Sequence, residues 1–200
     1  MKTKIKTMLV TIALMVATNF TALGQQTAQN TGKAELSVEV DPSTFVFRGY
    51  GVHIRYKPKN CNHLLLGVGA YAMDMPKMLI DMNSNNKNKG WAVSINNAVG
   101  LFAEHHFSEV NKKWFVGLQA GIQQFIISND FETDNQKFTN SLALVYGGYT
   151  WQPWQSGFYI KPWAGVGYTS KIGGSSSLGT KKYDIAPITM FATLHLGYTF

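Results

Sequence analysis

Glu104-His105-His106-Phe107-Ser108 holds the residue types best suited to chemistry in this chain. Side chains of an extended segment alternate between two faces, so Glu104, His106 and Ser108 share one. An imidazole beside a serine hydroxyl can act as general base on a nucleophile, with a carboxylate to orient it. Glu104, His106 and Ser108 are therefore the catalytic candidates, set against the plainer reading of Ser108 as a turn serine. A second set comprises His53, Arg55, Glu104, His106, Lys161 and His195, which alternation turns to the same side of their segments. Glu35, Glu39 and His63 are expected to face the same way. Such groups suit either a metal or acid–base site, or a plug of opposite charges that satisfy one another. The plug is the expectation, with no metal and no cofactor.

What positions these groups is a run of strands. After Gln25 the hydropathy has period two nearly throughout, which is the strand signal. Eight segments follow, at 33–41, 45–56, 62–72, 91–106, 114–127, 138–150, 158–170 and 188–200. The apolar faces carry Leu64, Leu66 and Val68, then Trp91, Val93, Ile95, Val99 and Leu101, then Trp114, Val116, Leu118 and Ile122. Leu142, Leu144 and Tyr146 read as another apolar face, with Ser141, Ala143 and Gly147 opposite. The other faces hold Gly51, Gly67, Gly69, Ser94, Asn96, Gly100, Gly117, Gln119, Gly165 and Gly167. A soluble antiparallel sheet would show charges to water on its second face. Small and neutral residues instead suit a narrow lumen. Apolar-out, polar-in alternation over segments of about 10 residues marks a membrane-spanning barrel. The fold expected is all-β: an eight-stranded antiparallel up-and-down transmembrane β-barrel.

The connections alternate in length. Those at 57–61, 107–113 and 151–157 are short, whereas 73–90, 128–137 and 171–187 are long and rich in Asn, Ser, Gly and Lys. Short periplasmic turns and long outer loops fit this asymmetry; the tight turn at 42–44 is the exception. Met75 to Met82 is apolar enough for a short helix over the mouth, and Gly173 to Gly179 reads as a mobile loop without a phosphate-binding lysine. Tyr56, Phe107, Trp114, Trp151, Trp154, Phe158, Tyr198 and Phe200 fall at one interface; Phe45, Trp91, Phe138 and Tyr168 fall at the other.

The first residues supply an address. Lys2, Lys4 and Lys6 precede an apolar run from Met8 to Val16, and Ala22 and Gly24 stand at −3 and −1 before Gln25. This is the pattern of a secretory signal peptide, with a run too short for a transmembrane helix. The organisation expected is a signal peptide at 1–24, a periplasmic segment at 25–32 and the barrel at 33–200. Of 18 basic residues the leader takes three and no acid, leaving 15 against 11 acidic ones, so no nucleic-acid partner is inferred. Cys61 stands alone, which excludes an internal disulfide.

The last strand, Leu194-His195-Leu196-Gly197-Tyr198-Thr199-Phe200, resembles the terminal signature of Gram-negative outer-membrane barrels. The nearest architecture is the small OmpA/OmpX type. That resemblance implies residence in the cell outer membrane and recognition of Phe200, Tyr198 and Leu196 by the barrel-assembly machinery. It also implies a setting among lipid and lipopolysaccharide, whose phosphates the loop lysines would meet. His106 and Ser108 are similar to the His-x-Ser pair of outer-membrane lipid A deacylases, but that family's carboxylate, about a dozen residues on, has no counterpart near Ala120. The functional expectation is a monomeric, non-enzymatic barrel with a structural or surface-interaction role through its outer loops. The alternatives are a lipid A-modifying enzyme and a narrow conduit for a small hydrophobic ligand.

Overall fold

Period-two patterning yields strands that close on themselves. In the computed structural model, residues 32–154 and 156–200 are described; the expected signal peptide lies outside them. The wall strands are β1 (Glu35–Val40), β2 (Tyr50–Lys57), β3 (Leu64–Asp74), β4 (Trp91–His106), β5 (Lys113–Asn129), β6 (Gln136–Thr150), β7 (Phe158–Gly174) and β10 (Ile188–Thr199). They form a closed antiparallel barrel in the order β1-β10-β7-β6-β5-β4-β3-β2, and a two-stranded ribbon, β8 (Ser177–Leu178) with β9 (Lys181–Lys182), stands beside it. Closure leaves the wall without a free first or last strand, which a membrane requires. Outside, Ile54, Val68, Leu101, Leu118, Val145, Val166 and Met190 are exposed on neighbouring strands. An apolar surface this continuous marks contact with something other than water.

The expected tight turn at 42–44 is replaced by a helix. The Asp41 carboxylate accepts the Ser43 N–H at 2.9 Å, and Pro42 occupies the first turn of α1 (Pro42–Val46). An acidic cap followed by proline favours this start. Arg48 then takes a left-handed φ of 56°, and β2 begins at Tyr50 rather than Phe45.

Two faces run opposite to their hydropathy. β4 carries one extra residue at Asn96–Asn97, seen as a register shift between Ile95 and Asn97 against β5 and opposite Tyr71–Met73 against β3. An extra residue exchanges the faces beyond it. Trp91, Val93 and Ile95 therefore point inward and are buried, whereas Val99 and Leu101 point out as expected. Along β6 the inward residues are Phe138, Leu142, Leu144 and Tyr146, not Ser141, Ala143 and Gly147. An eight-stranded lumen must be filled by side chains, and neighbouring glycines make the room. Tyr146 lies opposite Gly117 on β5 and Gly165 on β7. A Cβ on Gly117 would sit 2.5 Å from the Tyr146 ring. Trp91 and Phe138 thus leave the expected aromatic girdle for the core.

The far end of the barrel, opposite the termini, is plugged by apolar side chains. Ile80 of α2 (Lys77–Ile80) joins Trp91, Val93, Ile95, Phe125, Ile127, Phe138, Leu178 and Tyr183 in one buried cluster. The expected mobile loop is thus partly a ribbon, held by burial of Leu178. Asn86 ties two of the three long loops together: its amide donates to Asp184 O at 2.7 Å and accepts the Asp184 N–H at 3.0 Å. Burial pushes the Tyr183 hydroxyl up to about 12.

Candidate functional site

Below the apolar plug, the inward positions of six strands converge on two carboxylates. Glu39 of β1 and Glu104 of β4 are both fully buried, as are Arg55 of β2 and Lys161 of β7. Arg55 donates from Nε to Glu39 Oε2 at 2.9 Å, and its Nη1 lies 3.6 Å from Glu104 Oε1. Lys161 Nζ donates to Glu39 Oε1 and to Glu104 Oε2, the latter at 3.0 Å. The four groups form a ring in which each cation touches both anions. The formal charges cancel. Arg55 also lies 4.3 Å from the centroid of the Phe102 ring, and Lys161 lies 5.2 Å from that of Phe115.

Each carboxylate takes two further donors. Tyr159 donates to Glu39 Oε1 and Tyr146 to Glu104 Oε1, both at 2.9 Å. His195 Nδ1 lies 3.0 Å from Glu39 Oε2, and His106 Nε2 lies 3.2 Å from Glu104 Oε2. A carboxylate has about four lone-pair sites, so Glu39 is saturated. The tautomer of His195 follows from its other side. Trp163 Nε1–H, which can only donate, points at His195 Nε2 across 3.1 Å. The proton therefore sits on Nδ1, facing Glu39.

The backbone pairing shows why these groups meet. Glu39, Gly197 and Tyr159 lie in one row across β1, β10 and β7. Glu104, Gly117 and Tyr146 lie in one row across β4, β5 and β6. In both rows a tyrosine two strands away reaches the carboxylate over a glycine, where any side chain would collide with the ring. On β2 and β3, Gly67 gives Arg55 its space and Gly69 gives His53 its space in the same way.

His53, Arg55, Glu104, His106, Lys161 and His195 are all buried in the lumen. His53 stacks on His195 with ring centroids 4.6 Å apart, and its Nδ1 has no partner among the described residues. His63 departs from the inward placement: it is exposed before β3, with Nδ1 bonded to the carbonyl of His106 at 2.8 Å. Glu35 is half-buried and pairs with Lys57 near the barrel edge. Tyr159 and Tyr146 are members that residue-type reasoning missed, whereas parity already turns Trp163 inward. Alternation from Lys161 turns Tyr159 inward and was the available signal; for Tyr146 the hydropathy pointed the wrong way.

Neither a metal nor a nucleophile is well served here. Glu39, His53 and His195 could present ligand atoms within 4.8 Å of one another. Yet the lone pairs of Glu39 and both nitrogens of His195 are engaged, and the adjacent Arg55 and Lys161 repel a cation. Ser108 is half-buried in the turn after β4, and its hydroxyl makes no hydrogen bond to His106 among the described residues. Glu109 is directed to Lys112, whose hydrogen bond lowers the Glu109 pKa. At the chain end, Tyr198 and the 76 % exposed Phe200 face outward with ring centroids 5.1 Å apart, and Leu196 is half-buried on the same face.

Three solved structures have a similar chain path. One is the N-terminal β-barrel domain of Pseudomonas aeruginosa OprF, at 15% identity over 86% of this chain and 100% of that one, with a TM-score of 0.46. Another is Neisserial surface protein A, at 12% identity over 83% and 92%, TM-score 0.43. The third is a major outer membrane protein from Thermus thermophilus, at 11% identity over 84% and 100%, TM-score 0.48. No family model matches the sequence, and no curated protein matches it.

Proposed function

We propose that this chain is a monomeric, integral outer-membrane protein without enzymatic activity, serving a structural or surface-interaction role through its outer loops. The organisation that goes with this reading is a signal peptide at 1–24, a periplasmic segment at 25–32 and the barrel at 33–200. The observation that carries it is the pairing of an apolar exterior with a lumen that is filled and internally neutralised. The charge ring has no free acceptor on Glu39, and the far mouth is closed by Ile80, Leu178 and Tyr183. A group whose bonding capacity is used up inside the fold stabilises the fold; it is not poised to act on a substrate. The loops that close the mouth would face the cell exterior, where Lys77, Lys87, Lys89, Lys171, Lys181 and Lys182 can meet lipopolysaccharide phosphates. Phe200, Tyr198 and Leu196 would be read by the barrel-assembly machinery.

Membrane fractionation of cells making the full chain, with gel migration before and after boiling, tests the setting. Recovery in the outer membrane and a heat-dependent shift are expected; a water-soluble protein with identical migration refutes the reading. The lipid A mass profile with and without the protein tests the absence of enzymatic activity, and a new deacylated species would overturn it.

A further inference from the structure

The seam where the first and last strands meet is the shortest in the wall. β1 and β10 pair over four residues, Ser37–Val40 with Leu196–Thr199, against eleven between β10 and β7. A short ladder opens first, since exchange and fraying follow the number of supporting bonds. The turn between β4 and β5 lies opposite this seam, across the barrel. Nevertheless it reaches over the barrel floor. Asn111, 2 % exposed, donates from Nδ2 to Ser37 Oγ at 3.2 Å and to Thr199 Oγ1 at 3.1 Å. Ser37 and Thr199 are themselves bonded across the seam at 2.9 Å. One amide thus bonds both sides of the junction.

The rest of the turn is built to deliver that amide. Asn111 has a left-handed φ of 60°, which asparagine tolerates better than most residues. Val110 is buried beside it, and its N–H bonds Asn62 O at 2.8 Å. Glu109 and Lys112 stay on the surface and pair with each other. Phe107 N–H bonds Trp114 O at 3.1 Å, so the hairpin remains closed behind the reaching segment.

We propose that Asn111 is a latch for the barrel seam: the β4–β5 turn docks under the lumen and its amide holds β1 against β10. The latch forms only when both terminal strands are in place, because its two acceptors come from opposite ends of the chain. It therefore acts last in closure, and its loss loosens one seam selectively.

Hydrogen exchange of the full mature chain in detergent micelles tests this. Asn111→Gly keeps the left-handed backbone and removes only the side chain. Asn111→Ala removes the same amide while leaving the direct Ser37–Thr199 bond in place, and serves if the first variant fails to fold. In each, the amides of Val38, Val40, Leu196 and Tyr198 are expected to exchange on the order of tenfold faster, as the loss of one or two hydrogen bonds implies. Val116 and Leu118, in the β4–β5–β6 wall, should exchange at the unmodified rate. Equal acceleration in both regions, or none in either, would overturn the latch.

Discussion

Tyr159 reaches Glu39 across the full width of β10, its ring lying over Gly197 and its hydroxyl 2.9 Å from the carboxylate. Tyr146 reaches Glu104 over Gly117 in the same manner. The glycines are thus as necessary to the charged core as the charges.

Gly197→Ala places a methyl group inside the Tyr159 ring. Displacing that ring forfeits its bond to Glu39, and overpacking of this kind costs about 1–3 kcal/mol. Urea titration of the refolded barrel in detergent should show the loss, and Tyr159→Phe should show a smaller one. A neutral Gly197→Ala would mean that the ring has another resting place.

Lys161→Met leaves two buried carboxylates with Arg55 as the only cation of the ring. An uncompensated buried charge costs about 3–5 kcal/mol. Adding Glu104→Gln removes the surplus anion and should return about 1–2 kcal/mol, within the usual range for coupled neighbours. Additive losses in the double variant would show that the two groups do not act as a unit.

Asn140 is completely buried, and neither amide atom has a hydrogen-bond partner among the described residues. Asn140→Leu keeps the branched heavy-atom skeleton and removes an unmet polar group worth about 1–3 kcal/mol. Higher denaturant resistance is expected. A drop instead would point to bound water satisfying the amide.

At the far end, the Asn85 side chain donates to the Asp184 carboxylate at 3.0 Å. That bond, with help from Lys182, holds the Asp184 pKa below its ordinary value. A lowered carboxyl pKa contributes stability above the unfolded pKa, and the contribution fades as pH falls through the folded one. Protease cleavage of the 175–187 segment should therefore increase on acidification below about pH 4. Asn86→Ala, which unties the same loops, should increase it at neutral pH.

The eight segments and their order around the wall were legible because alternation survives in strands with one lipid-facing side. The same rule failed at Leu142, Leu144 and Tyr146, where hydropathy names the apolar side but cannot say that glycines on β5 and β7 make room for it within. It failed again at Trp91, Val93 and Ile95, since the bulge in β4 has no distinctive residue signature. The charged residues of the lumen were visible by parity. The ring they form was not, because Glu39 and Lys161 meet through pairings 122 residues apart. Asn111 gave no signal at all: polar residues are ordinary in turns.

The shift between Ile95 and Asn97 makes β4 sensitive to insertion and deletion in a way that substitution tables miss. Loss of a single asparagine there would act like a frameshift of environments. Trp91, Val93 and Ile95 would turn toward the membrane, and their polar neighbours would turn toward the space those rings now fill. A one-residue change in length would thus exchange two solvents along about a third of the strand without altering any of its other side chains.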